Sequence, residues 1–445
     1  MANYIYDFTK EHSFHGEFWS DPDNNIGRFP AKIEYTPYNG LVLEYCISDS
    51  ESPKKCQRLY GIINNGEPCT LLGRFDFTQG SMHLGKIRVL TGKHHFKAII
   101  FGGMYTEQDN VEHCDLAIHG MQEFIHPQGF ISNIKHSTKP ILSTQGSGWK
   151  LDVINSVTFS GIGDDLVNII DCQDDAALDK FTNDFSDTKN KYPDAFFLIR
   201  KSLKFYLRYK NTDDASIIKH IDDLWKLTGL FSILLNKPVI PDELYIKFKN
   251  QKQRNHCLFS NSIEQRTIDL ALSDLNHHLM PLTWKQIDMA TVICNWIKIS
   301  DEYNSLSATY QYETGYRTLP QAHADIILYA TQLESINLEL SAKNNDKYIG
   351  PINKYASPAL KKKIESIFSQ FNSKDIGENI TTVRGELAHV GRPKKLMKLM
   401  TIHDYIKIGL YLKLTITAHL LSKLGLTKEQ IERYQDKIAP SNKWR

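Results

Sequence analysis

The sequence predicts a multidomain α+β protein, in which an antiparallel β-rich N-terminal part is followed by an all-α bundle. The first observation behind this is a change of hydrophobic period near residue 262, from the alternation typical of strands to the spacing typical of helices. The second is the length of 445 residues, which is more than one ordinary core holds. We therefore divide the chain into residues 1–150, 151–261 and 262–445.

Residues 1–150 have the pattern of strands. Residues 31–35 and 41–45 alternate apolar and polar side chains around the turn Pro37-Tyr-Asn-Gly40, which is typical of a β-hairpin. Regular spacing of further short runs predicts a sandwich or a curved antiparallel sheet. In such a sheet, aromatic residues pack in the core more often than they stack on bases. We therefore expect core positions for Trp19, Tyr35, Tyr38, Tyr45, Phe75, Phe77 and Phe101.

Residues 151–261 give a mixed signal, and we assign them as an α/β continuation of the N-terminal part. We predict one helix within residues 193–209, a second within 213–235, and a strand at 244–248. No internal repeat or low-complexity linker separates this region from its neighbours.

Residues 262–445 have the period of a bundle of five or six helices. One of these helices is expected to begin at Ser357 and Pro358, which suit the N-cap and the first turn. The most apolar long stretch, residues 406–424, is interrupted by Lys407, Lys413, Thr415, Thr417 and His419. We therefore expect a buried helix there rather than a membrane span.

Composition and charge narrow the class of protein. Hydrophobic residues make up 41% and charged residues 23%, as in folded soluble proteins. The net charge of +2 does not mark a nucleic-acid binder, so any basic surface must be local. The N-terminus lacks a secretory pattern, and the seven cysteines are scattered without a Cys-x-x-Cys pair. We expect a soluble, cytoplasmic protein with reduced thiols and no membrane partner.

Arg384 and His389 are the candidate catalytic pair, in the segment Arg384-Gly-Glu-Leu-Ala-His389. A histidine can transfer protons near neutral pH, and an arginine binds phosphate oxygens through its planar fork, so the pair suits RNA cleavage without a metal ion. Along a continuous helix, a five-residue step would leave the two side chains about 140° apart. We therefore expect a helix end or a loop between them, with Gly385 as a source of irregularity.

The spacing of this pair is weak evidence by itself. An arginine followed by a histidine after four to six residues arises by chance roughly once or twice in a chain of this composition. The same spacing recurs at Arg88 with His94 and at Arg317 with His323. Context must therefore decide between the three pairs.

Arg384 is distinguished by its place between two strongly predicted helices and by the compact basic stretch that follows the motif. Such a stretch suits a phosphate backbone, and we assign RNA binding to Arg392, Lys394, Lys395 and Lys398. The alternative is a structural arginine that pairs with Glu386, together with a histidine that merely ends a helix.

The C-terminal segment Arg384-Gly-Glu-Leu-Ala-His389-Val-Gly resembles a HEPN domain, whose signature is an arginine, four to six residues, and a histidine. The N-terminal part resembles the domain that precedes HEPN in ApeA-type anti-phage defence proteins. The matching features there are Gly16-Glu-Phe-Trp19, the hairpin at residues 33–43, Gly61-Ile62 followed by Cys69-Thr-Leu-Leu72, and Phe96-Lys-Ala98 with Gly102.

This resemblance implies an abortive-infection protein, in which phage entry triggers RNA cleavage and growth arrest. His389 would assist attack of a ribose 2′-hydroxyl on the adjacent phosphate, and Arg384 would hold the phosphate and stabilise the developing charge. The products would carry 2′,3′-cyclic phosphate and 5′-hydroxyl ends, with no metal or other cofactor. The resemblance also implies a homodimer through the HEPN domain, a structured RNA substrate such as tRNA, and an N-terminal part that senses an unknown phage-derived trigger.

Gly385 departs from the family pattern, because many active members have a polar residue, often asparagine, directly after the arginine. Glu386 is a candidate for the missing orienting role. The departure keeps open a second hypothesis, a HEPN-like module without activity that dimerises or binds a partner. A metal-dependent nuclease ranks third, because no carboxylate cluster stands out in the sequence.

Overall fold

The computed structural model of the chain describes residues 6–23, 27–48, 55–64, 66–76, 80–84, 87–126, 137, 139–161, 170, 172–195, 197–213, 215–275, 278, 280–340, 347–371 and 375–440. Over these residues the strands join in one antiparallel sheet, and the part of the chain beyond the sheet is helical. The α+β class predicted from the sequence is confirmed.

The strands of the sheet fall into two groups along the chain. The first group ends before residue 120 and comprises β1 (His12–Trp19), β2 (Phe29–Thr36), β3 (Gly40–Ser48), β4 (Cys56–Ile63), β5 (Glu67–Phe75), β6 (Ser81–Leu84), β7 (Ile87–Phe96), β8 (Ala98–Phe101) and β9 (Val111–Ile118). The second group comprises β10 (Leu142–Gly146), β11 (Trp149–Gly161), β12 (Leu198–Asn211), β13 (Pro241–Phe248) and β14 (Arg254–Phe259).

The first group curls back on itself. Its neighbouring strands follow the order β8-β5-β4-β1-β2-β3-β7, and Lys97 alone separates β7 from β8 in the chain. The Lys97 amide donates to the Leu72 carbonyl of β5, so the ladder returns to its own start as a barrel-like closure. The predicted hairpin is confirmed as β2 paired with β3, with Tyr35 opposite Leu41.

The aromatic residues of this region lie mainly in the core, as predicted. Phe77 lies outside the described residues, and Tyr38 is the exception, with 61% of its surface exposed at the hairpin turn. The buried members of the set are Trp19, Tyr35, Tyr45, Phe75 and Phe101.

The helix predicted within residues 193–209 is wrong, because the chain there forms β12. This strand pairs with β11 along its length and with β9 on its other side. Phe205 and Leu207 on one face of the strand are buried, but Tyr206 on the opposite face is buried as well. A strand covered on both faces lacks clean alternation, and pairing with its neighbours overrides local propensity.

The sheet also runs across the predicted border at residue 150. That border falls inside β11, and β12 to β14 continue the same sheet. In the described part of this region, three helices are interspersed with the strands: α1 (Met121–Ile125), α2 (Asp175–Lys191) and α3 (Ile217–Leu235). The predicted helix within 213–235 is confirmed as α3, and the predicted strand at 244–248 is confirmed as part of β13.

The helical part follows the sheet. In the described chain it contains α4 (Gln265–Leu272), α5 (Met289–Ile299), α6 (Asn304–Gln311), α7 (Leu319–Glu339), α8 (Ile349–Tyr355), α9 (Pro358–Ser369), α10 (Ile376–Ala388), α11 (Ile402–Lys423) and α12 (Lys428–Ile438). These are more than the five or six predicted, because short helices such as α6 and α8 give little periodic signal over two turns.

The long apolar stretch forms α11, which packs against α7, α8, α9 and α12. Every residue from Leu412 to Leu421 is buried, so the predicted buried helix is confirmed. None of the described helices combines the length and the apolarity that crossing a bilayer requires. α3 joins the two parts of the molecule, because it packs on β9 and β12 on one side and on α5 and α6 on the other.

Candidate active site

Arg384 and His389 lie on either side of the C-terminal end of α10. The helix begins after Asp375, whose carboxylate accepts a hydrogen bond from the Glu378 amide at 3.0 Å, and it ends at Ala388. His389 is the first residue beyond the helix and has an extended backbone, with φ −120° and ψ 114°. The expected helix end is therefore present, but the irregularity begins at His389, while Gly385 is helical.

The side chain of Arg384 points towards α7. Its Nη1 atom lies 3.6 Å from Oε1 of Glu334, and 30% of the side chain stays exposed. The same carboxylate accepts a hydrogen bond from the Tyr348 hydroxyl, and Lys347 Nζ lies 3.2 Å from it. Arg384 Nε is buried and has no hydrogen-bond partner among the described residues. The carboxylate of Glu334 thus orients the guanidinium, and the exposed part of the side chain stays open to an anionic ligand.

The protonation states around Glu334 follow from its contacts. Partial burial acts to raise the pKa of Glu334, but the hydrogen bonds from Tyr348 and Lys347 and the charge of Arg384 hold that pKa below its usual value. Burial raises the pKa of Tyr348, and its hydrogen bond to Glu334 adds to the rise. At neutral pH a carboxylate and a neutral phenol therefore face the arginine.

No pattern in the sequence singles out Glu334, Lys347 or Tyr348 as site residues. Glu334 lies in α7, Lys347 and Tyr348 directly precede α8, and they meet Arg384 because α7 packs against α10. The one available signal in the sequence was that a helix before the motif contains acidic residues. This signal does not show whether Glu334 or Glu339 of that helix contacts Arg384.

His389 is exposed at the end of α10. Its backbone amide donates to the Gly385 carbonyl at 3.2 Å, and in the described part of the chain its imidazole has no hydrogen-bond partner. The next residue, Val390, is 99% exposed. The candidate general base is therefore open to a ligand or to a second protein surface.

Glu386 faces away from the surface and is 2% exposed. Its carboxylate accepts the backbone amides of Lys395 at 2.8 Å, Leu396 at 3.2 Å and Met397 at 2.9 Å. These are all the hydrogen bonds of that carboxylate within the described chain. Glu386 thus anchors the segment after the motif, and its contacts are with that segment rather than with Arg384.

The basic stretch forms the segment that Glu386 anchors, and we call residues 390–400 the basic loop. Lys394 Nζ donates to the backbone carbonyls of Glu386 and His389, which closes the C-terminus of α10. Arg392, Lys395 and Lys398 are exposed and have no carboxylate partner among the described residues. Three of the four predicted RNA-binding side chains are thus uncompensated charges, while Lys394 is engaged with the helix end.

The competing arginine–histidine pairs lie elsewhere in the fold, and the arginine of one of them is structural. Arg317 binds both carboxylate oxygens of Glu313, each at 2.7 Å, and its Nε donates to Asp325 at 2.8 Å. Its side chain is 14% exposed, so this arginine is a buried structural cation. Arg88 and His94 lie together in β7. Within the described ranges, no three histidine, cysteine or acidic side chains converge as a metal site.

Comparison with known families adds to this geometry. The model of ApeA N-terminal domain 1 matches residues 13–296, which is more than half of the chain, and the model of the Apea-like HEPN domain matches residues 309–430. The chain belongs to the ApeA family. The resemblance seen in the sequence is thereby confirmed, and this ApeA-like defence protein has its Arg384/His389 motif inside the matched HEPN region.

The matched regions bear on the organisation of this ApeA-like chain. The N-terminal match ends in α5, beyond the border that we predicted at residue 261, so the division into three regions stays a prediction. Searches among curated proteins and among solved structures gave no match.

Proposed function

We propose that this ApeA-like protein is an endoribonuclease that cleaves RNA without a metal ion during abortive infection. The observation that supports it most directly is the arrangement at the end of α10. Arg384 is held by Glu334 and stays partly exposed, and His389 is exposed without a partner in the described chain. A fixed cation for the phosphate and an exposed imidazole for proton transfer are two of the groups that this reaction requires.

In the proposed reaction a ribose 2′-oxygen attacks the adjacent phosphorus, and the bond from phosphorus to the 5′-oxygen breaks. One imidazole takes the proton of the 2′-hydroxyl, and another group returns a proton to the leaving 5′-oxygen. Arg384 binds the non-bridging oxygens, on which negative charge develops. The products are a 2′,3′-cyclic phosphate and a 5′-hydroxyl.

The need for both a base and an acid supports a homodimer in which two copies of His389 share one cleft. Val390 beside the motif is 99% exposed, and Leu399 in the basic loop is 59% exposed. A second copy of the chain would cover these apolar side chains. We place the dimer interface at this face of the HEPN domain.

The RNA is expected to bind along the basic loop through Arg392, Lys395 and Lys398, whose charges are uncompensated in the described structure. A structured RNA with unstacked loop nucleotides, such as tRNA, suits a cleft of this kind. In this proposal the N-terminal part senses a phage-derived trigger in the cytoplasm and releases the activity.

The test is incubation of the purified full chain with total RNA in EDTA, with and without a lysate of phage-infected cells. We expect fragments whose 3′ ends resist ligation until the cyclic phosphate is removed, and whose formation requires His389. Intact RNA under both conditions would contradict the proposal. It would favour the alternative, a HEPN-like module that dimerises or binds a partner.

A further inference from the structure

The side chain of Arg392 packs against Gly385 of the motif. Gly385 is buried in the last turn of α10, directly after Arg384. A Cβ atom at this glycine would lie 1.8 Å from Nη1 and 2.8 Å from Cζ of Arg392. The three atoms nearest to such a Cβ all belong to Arg392. The guanidinium of Arg392 thus occupies the volume that any side chain at residue 385 would need.

The backbone around Arg392 is held on both sides. The Arg392 amide donates to the His389 carbonyl at 3.3 Å, and Lys394 Nζ donates to the same carbonyl at 2.9 Å. Glu386 then fixes the three residues that follow Lys394. The His389 amide donates to the Gly385 carbonyl, and the His389 carbonyl in turn accepts the Arg392 amide. His389 and Arg392 therefore belong to the same turn after α10.

The two arginines of the site differ in whether a carboxylate compensates their charge. Arg384 has Glu334 within 3.6 Å, whereas no carboxylate pairs with Arg392 in the described ranges. An uncompensated guanidinium that packs on the motif at Gly385 is a site for an anion, and its fork suits the oxygens of a phosphodiester.

We infer that Arg392 is a second phosphate-binding residue of the catalytic centre, and that Gly385 leaves the space in which its guanidinium packs against the motif. The ligand is a phosphodiester of the RNA backbone at the cleavage site. The inference rests on the proposed ribonuclease function and specifies how this site holds its substrate. Gly385 is then an adaptation to Arg392 and not a sign of lost activity.

The first test is a double-mutant cycle on cleavage of a 5′-labelled RNA oligonucleotide that contains the mapped cleavage site. Gly385→Ala and Arg392→Ala should each lower kcat/KM by roughly ten- to a hundred-fold, the range for loss of a charged hydrogen bond. The double variant should be no slower than Arg392→Ala alone, because the methyl group acts by displacing the guanidinium. Arg392→Lys, which keeps the charge but loses the fork, should be intermediate.

Two controls separate this effect from damage to the fold. Alanine is the better helix former, so Gly385→Ala should unfold at the same temperature as the parent or higher while losing activity. Gly391→Ala adds the same methyl group in the basic loop, where it meets no atom of the described residues within 4 Å, and should keep the parental rate. Parental rates in both Gly385→Ala and Arg392→Ala, with cleavage still abolished by His389→Ala, would overturn the inference and leave the ribonuclease proposal standing.

The second test does not depend on cleavage. In a His389→Ala background, the affinity for tRNA, which requires no mapped cleavage site, is measured at several salt concentrations. Arg392→Ala should reduce the slope of log affinity against log salt by about one, as expected for one lost phosphate contact. An unchanged slope would overturn the inference, and so would multiplicative losses in the double variant. Failure of the parent to cleave any RNA would count against the proposed function, and the salt slope would still decide the role of Arg392.

Discussion

Nη1 of Arg384 lies 3.6 Å from Oε1 of Glu334, across the contact between α10 and α7. Glu334 also accepts the Tyr348 hydroxyl and lies near Lys347, so one carboxylate gathers three donors. The position of the candidate phosphate-binding arginine therefore depends on a residue outside the motif. The motif and Glu334 of α7 therefore form one functional unit.

Glu334→Gln should lower kcat by about ten-fold with little change in KM, because an amide keeps an acceptor for Tyr348 but no longer attracts the charge of Arg384. Steady-state cleavage of the mapped oligonucleotide measures both constants. Glu339→Gln is the matched control, since Glu339 lies on the same helix but binds Lys423 and His419. Equal kcat in the two variants would show that Arg384 is positioned without Glu334.

Glu386→Ala should destabilise the protein by about 1–3 kcal/mol and loosen the basic loop, because three backbone amides lose their acceptor. Hydrogen exchange at the amides of residues 395–397 should accelerate in this variant. Glu365→Ala, an exposed carboxylate on α9, provides the control. Unchanged exchange combined with lost activity would instead favour the direct orienting role that the sequence suggested for Glu386.

Part of this site could be predicted from a six-residue segment. A five-residue step does not align two side chains on one helix face, so a helix end near His389 was expected, and α10 ends there. Glu334 and Tyr348 could not be predicted, because tertiary packing brings them to Arg384 and the pattern of α7 does not mark one acidic residue above another. The contact of Arg392 with Gly385 likewise depends on how the basic loop folds back.

Some elements of the fold could likewise be predicted from the sequence, and others could not. Hairpins and long helices were predicted where period and turn residues agree, as in β2 with β3 and in α11. The error at β12 arose where both faces of a strand are covered, so that Tyr206 is buried beside Phe205 and Leu207. Continuous burial removes the two-residue alternation that identifies a strand in the sequence.

His389→Ala and Arg384→Ala should each reduce RNA cleavage by at least about a hundred-fold, since each removes one of the two groups that act in the transition state. Both variants should also lose toxicity when the protein is expressed. Circular dichroism and light scattering should show that each variant keeps the fold and the oligomeric state of the parent. Full toxicity of either folded variant would exclude this pair as the catalytic centre.

The stability of the N-terminal sheet should depend on pH through His256 of β14. This residue is 7% exposed, and neither ring nitrogen has a hydrogen-bond partner in the described chain. Burial lowers the pKa of His256 to about 4, against about 6.5 in an unfolded chain. Between these two values the unfolded chain binds the proton more readily, so the stabilisation is complete above pH 6.5 and is lost as the pH falls towards 4.

His256→Phe places a ring without a titratable group against Tyr6 and Tyr245, which pack on the imidazole in the parent. From pH 7 to pH 5 the parent should lose about 2 kcal/mol more of its free energy of unfolding than the variant, because only the parent takes up a proton at this position on unfolding. Denaturant unfolding of the full chain at a series of pH values measures the difference. Other buried histidines, such as His419, are common to both proteins and cancel in the comparison. Parallel curves for the two proteins would mean that the His256 imidazole is as easily protonated in the folded sheet as in the unfolded chain.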